Sequence, residues 1–135
     1  HHGDRHVMNL VLIAEDDPDI AALIAEGIAD HLYVATQIVS NGALVPDAIV
    51  ARRPALIVLD VSLPGLSGLD VFDLVRNDAN YQGIPVLFLT ASPERAAGAF
   101  ASGGEQRVMA KRFDLDHLVT AVDEMLDGRA VETAA

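Results

Sequence analysis

Residues 55–68 read ALIVLDVSLPGLSG, a continuous apolar run that ends on Asp60 and breaks into a loop holding Pro64, Gly65 and Gly68. The run does not alternate polar with apolar. That is how a strand reads when both of its faces are covered, as in a parallel sheet. Gly65 and Gly68 let the backbone turn tightly, and Pro64 stiffens the loop. Such a turn can aim backbone N–H groups at an anion. A helix is expected next, over 68–77.

Two runs of the same kind flank this one, LVLIA at 10–14 and IPVLFL at 84–89, with a weaker VMA at 108–110. The segment YVATQIV at 33–39 mixes polar and apolar residues and reads as an edge strand. Helical segments fill the gaps, at 19–32, 43–51, 68–77, 93–102 and 115–126. In the first, Ile20, Leu23, Ile24, Gly27, Ile28 and Leu32 form a helical apolar stripe. Asp17 is placed to cap it, with Pro18 at its first position. Ser92-Pro93-Glu94 repeats the cap-then-proline signal, Asp114 caps the last helix, and Gly128 stops it. Strand and helix thus alternate five times. The fold class is α/β: a single doubly wound (βα)5 domain with a five-stranded parallel sheet.

The 135 residues suffice for one core but not for two domains. Residues 1–8 are polar, begin with paired histidines and read as a tag remnant. Residues 9–128 form the domain, and 129–135 a short tail. Apolar residues make up 51% and charged residues 21%, which excludes disorder. No run approaches ~18 apolar residues, so no membrane span is expected. The chain has no cysteine, which removes disulfides, thiol nucleophiles and thiolate metal sites and fits a cytoplasmic setting. Its net charge of −11 would repel a nucleic-acid backbone. His31 and His117 lack metal-ligand spacing and read as surface residues.

Ligands of open α/β sheets bind beyond the carboxyl ends of the strands. Glu15, Asp16 and Asp17 follow the first run, Asp60 the third strand, Thr90 the fourth and Lys111 the fifth. A single acid there is ordinary, and Asp17 is accounted for as a helix cap. Glu15, Asp16 and Asp60 on neighbouring strands would repel one another unless a cation joined them. A hard divalent ion suits such oxygens, and Mg²⁺ suits few carboxylates plus water and phosphate.

The pattern resembles the receiver domain of two-component response regulators over about residues 10–126. The residues that carry the resemblance are Glu15-Asp16, Asp60 with Pro64 and Gly68 behind it, Thr90-Ala91, and Lys111 with Phe113. The resemblance implies the flavodoxin-like strand order 2-1-3-4-5. It implies that Asp60 takes a phosphoryl group from a phosphohistidine on a sensor histidine kinase or histidine phosphotransfer protein. Asp16, Asp60 and the backbone carbonyl of Ser62 would hold Mg²⁺, with Glu15 reaching it through water. Lys111 would pair with the phosphoryl group and Thr90 would hydrogen-bond it. Ser62 and Ser92 fall where the family tunes the lifetime of the acyl phosphate. A downstream protein or fused output domain would read the switch, and receivers often pair with a second copy through their last two helices.

Two positions depart from that pattern. Val108 stands where the family has an aromatic that moves with the threonine, and valine is stiff at its first torsion. Arg112 stands where the family has a proline, often preceded by a cis bond; without proline a cis bond costs roughly 3 kcal/mol, so a trans bond is expected. Arg112 reads as a solvated charge. Segment 93–102, rich in Ala and Gly, is expected to be the least stable helix. Three other readings were weighed. A degenerate receiver would act as a phosphorylation-independent interaction module. An aspartyl phosphatase usually has a second Asp two residues on, where this chain has Ser62. A Rossmann-type nucleotide binder would need a Gly-rich loop where this chain has Glu15-Asp16-Asp17.

Overall fold

The computed structural model describes residues 8–93 and 106–126. Five parallel strands form one sheet: β1 (Asn9–Ala14), β2 (Val34–Val39), β3 (Leu56–Asp60), β4 (Val86–Thr90) and β5 (Gln106–Ala110). Their order is β2-β1-β3-β4-β5, as the resemblance implied. Among the described residues there are four α-helices: α1 (Pro18–His31), α2 (Val45–Ala51), α3 (Gly68–Arg76) and α4 (Leu115–Met125).

The strand interiors explain why the runs are continuous. Successive side chains point to opposite faces, and here both faces are covered. Val11, Ile13 and Val58 pack with Ile24 and Ile28 of α1 and Leu118 and Val122 of α4. Leu12, Ile57, Leu59 and Phe88 pack with Val45 and Ile49 of α2 and Val71 and Phe72 of α3. Each such side chain withdrawn from water contributes ~1.5–3 kcal/mol. Phe72 and Phe88 meet edge to face, centroids 5.0 Å apart.

The helices begin where their caps stand. Asp17 accepts from the N–H groups of Asp19 (2.9 Å) and Ile20 (3.3 Å), ahead of Pro18. Asp114 does the same for Asp116 (2.9 Å) and His117 (3.4 Å). Ser67 caps α3 through Asp70 N–H at 3.2 Å. His31 and His117 are exposed.

Several boundaries shift. Asp60 and Thr90 are the last residues of their strands rather than the residues after them. The expected helix at 43–51 opens with a 3-10 turn, Gly42–Leu44, and becomes α-helical only from Val45, with Pro46 near its start. β5 starts two residues early, at Gln106, because it is an edge strand whose residues are at most half-buried, so polar side chains fit it. The segment expected at 93–102, apart from Pro93, and the stop at Gly128 lie outside the described residues.

Candidate functional site

Register builds the site. Ala14 pairs with Leu59, so one step further sets Glu15 beside Asp60. On the other edge of β1 the β2 ladder continues to the same residue, Glu15 N–H donating to Val39 O at 3.0 Å. On the other side, Asp60 pairs with Leu89 and Thr90 with Ala110. Lys111 N–H then donates to Thr90 O at 2.7 Å, which brings the lysine to the same end of the sheet.

Glu15 and Asp60 are each 1% exposed. One carboxylate oxygen from each of Glu15, Asp16 and Asp60 lies within 4.8 Å of the others. Asp16 is the exposed member of the three. Lys111 Nζ donates to Asp60 Oδ2 at 2.7 Å and stands 3.3 Å from Glu15 Oε1. The Lys111–Arg112 bond is trans, as the missing proline predicts. The lysine nevertheless reaches the acid, so the departure at Arg112 does not displace it.

The remaining oxygens are partly satisfied from the backbone. Asp60 Oδ1 accepts from Ser62 N–H at 3.0 Å, and Glu15 Oε2 from Asp17 N–H at 2.9 Å. Glu15 Oε1 is buried and accepts no hydrogen bond. The Lys111 ammonium 3.3 Å away offsets its charge, and a hard cation would serve the same oxygen. Burial pushes the Glu15 carboxyl up to about 6, and the Asp60 charge adds to the rise; the Asp17 N–H and the Lys111 ammonium oppose it. For Lys111, burial alone would lower the ammonium, but its hydrogen bond to Asp60 and the charges of Asp60 and Glu15 outweigh that and hold it above the usual 10.5.

The loop after Asp60 is held at both ends. Gly68 packs on the backbone of Asp60 itself: a Cβ there would come within 2.6 Å of Asp60 O and 2.7 Å of the Val61 Cα. Gly65 adopts φ 78°, which glycine takes without strain. It sits against the Asn41 side chain, and Gly42 sits against Leu66 O, where no Cβ fits in either case. Gly42 N–H also donates to Pro64 O at 2.9 Å. Asn41 and Gly42 thus support the site, though neither was singled out from sequence. The Asn-Gly pair is a turn signal, but nothing in it names the loop it meets.

Thr90 is 8% exposed, and its Oγ1 accepts from Ser92 N–H at 3.1 Å. Val108 is partly buried and packs toward the α2 and α3 layer. Arg112 is exposed, as expected.

A family model described as the response regulator receiver domain matches residues 11–123. The chain belongs to that family. As a receiver domain of two-component response regulators, it is 32% identical to the probable transcriptional regulatory protein TcrX of Mycobacterium tuberculosis over 91% of this chain and 52% of TcrX. It is 36% identical to the response regulator protein PmrA of Pseudomonas aeruginosa over 90% of this chain and 55% of PmrA. The receiver chain therefore spans about half the length of these curated relatives. Among solved structures it is similar to the signal receiver domain of a LuxO repressor protein from Vibrio parahaemolyticus, at 28% identity and a TM-score of 0.77, covering 93% of this chain and 95% of that one. A response regulator from Chloroflexus aurantiacus shares the fold at 24% identity and a TM-score of 0.80, covering 89% of this chain and 98% of that one. Among the described residues no helix is long and apolar enough to cross a membrane.

Proposed function

We propose that Asp60 is the phosphoryl acceptor of a working receiver switch. The observation that carries this reading is the convergence of two further carboxylates, Glu15 and Asp16, and one ammonium on Asp60, with Lys111 Nζ 2.7 Å from Asp60 Oδ2. In the transfer, a carboxylate oxygen of Asp60 forms a bond to phosphorus as the phosphorus–nitrogen bond of the donor phosphohistidine breaks. The leaving imidazole keeps the electron pair and takes up a proton. Ser62 N–H orients one oxygen of the nucleophile, and Lys111 stands where the added negative charge arrives. The donor is a sensor histidine kinase or a histidine phosphotransfer protein.

The acid set fits Mg²⁺. Glu15, Asp16 and Asp60 offer hard oxygens, Glu15 Oε1 accepts no hydrogen bond, and the Ser62 carbonyl, which the family resemblance adds, would complete the set. When bound, Mg²⁺ supplies charge screening between the acceptor and the phosphoryl oxygens. Thr90 would release Ser92 N–H and turn its hydroxyl to the phosphoryl group. That exchange moves the loop after β4 and does not need an aromatic at Val108 or a proline at Arg112. A downstream protein or a fused output domain would read the change. Such chemistry, in a chain without cysteine, suits the cytoplasm.

Intact mass after incubation with acetyl phosphate and Mg²⁺ tests the reading. One labile phosphate is expected on the protein, none on Asp60→Asn and none in EDTA. No adduct, under conditions that label a control receiver, would leave the phosphorylation-independent interaction module.

A further inference from the structure

Among the described residues seven large apolar side chains are exposed, and two of them, Val50 on α2 and Leu74 on α3, border one groove. Between these helices runs a groove of about 180 Å³. Buried Val45, Ile49, Val71 and Val75 line it, while Val50 (69% exposed) and Leu74 (51%) stand at its open side. Isolated exposed apolar residues are ordinary; a cluster around a groove marks a binding surface.

The charges beside the groove have one sign. Asp70 stands one helical turn before Leu74 on α3, and Asp78, just past the end of α3, lines the groove itself. Asp47 neighbours Val50 in the same way on α2. The arginines of these segments lie off the groove lining: Arg76 stacks over the Phe72 ring, 5.4 Å from its centroid, and Arg52 donates to Met8 O at 2.6 Å. A second copy of this chain would bring acids against acids. The complementary occupant has an apolar ridge with cations along its flanks. The groove's walls are also preformed, since the turn into α2 and the loop into α3 are hydrogen-bonded to each other.

We propose that this groove docks an amphipathic helix of a partner protein, seating its apolar residues between Val50 and Leu74 and its Lys or Arg residues against Asp47, Asp70 and Asp78. The surface lies apart from the Asp60 site and does not depend on its phosphorylation. A fluorescein-labelled synthetic helix with a leucine ridge flanked by lysines is the probe, titrated with the full chain and followed by anisotropy. Saturable binding is expected, weakened roughly tenfold or more by Val50→Glu or Leu74→Glu and unchanged by Leu23→Glu on α1. A glutamate-flanked version of the peptide should not bind. On the unaltered protein, amide shifts caused by the lysine peptide should gather on α2 and α3, which tests the site without any substitution. The proposal fails if binding is absent, if Leu23→Glu weakens it equally, if the glutamate peptide binds as well, or if the shifts gather elsewhere. It also fails if sedimentation shows a dimer that Leu74→Glu dissolves, since a second copy would then be the occupant.

Discussion

The two sides of the Asp60 site are built differently. The acids come from β1 and β3, where Val11 through Ala14 and Leu56 through Leu59 are at most 1% exposed. The cation comes from the end of β5, an edge strand whose residues are half-buried or exposed. Close packing fixes the first side, because a buried strand cannot shift without opening voids. The second side holds its charge on a long flexible stem at the rim. The difference suits the proposed switch, in which Asp60 would stay fixed while the ammonium that follows its charge would be free to move.

The largest effect should come from loosening the acid side. Leu59→Ala should destabilise by about 3–4 kcal/mol, whereas Val108→Ala on β5 should lose only about 1 kcal/mol. Urea unfolding of both variants checks this, and equal losses would break the contrast. A smaller effect follows from Glu15, whose carboxyl is raised to about 6 by burial. A raised carboxyl binds its proton more tightly when folded. Its contribution is therefore complete below its ordinary pKa of 4.5 and is lost as pH climbs through about 6. Without divalent cations, the wild-type protein should lose on the order of 1–2 kcal/mol relative to Glu15→Gln across that window. Unfolding in EDTA at a series of pH values gives the answer, and a pH-independent difference would contradict it. Smallest of all, Arg107→Ala should change stability by less than ~0.5 kcal/mol, because its 2.7 Å pair with Glu124 is exposed on both partners. A loss above ~1 kcal/mol would mean that the β5 side is more rigid than its exposure indicates.

The same contrast explains what was legible in the sequence. Buried parallel strands write themselves as unbroken apolar runs, so β1, β3 and β4 and the polar residues at their ends could be read directly. β5 was half hidden, since Gln106 and Arg107 carry no apolar signal on an edge. Lys111 was legible from its place after that strand, and its reach to Asp60 needed the fold. Glu15 and Asp16 look alike in sequence. The structure sets them apart by burial, covering Glu15, one of whose oxygens accepts no hydrogen bond, and leaving Asp16 exposed. The 3-10 turn at Gly42–Leu44 was missed because its cause is tertiary, a glycine pressed against Leu66 O.

That contact between Asn41-Gly42 and Pro64-Gly65-Leu66 also sets a rule of length. Each loop is measured against the other, glycine to side chain and N–H to carbonyl. Neither can gain or lose a residue alone without dragging the backbone of Asp60 with it. In a graft or a chimaera the two segments, more than twenty positions apart in the chain, must travel as a single part.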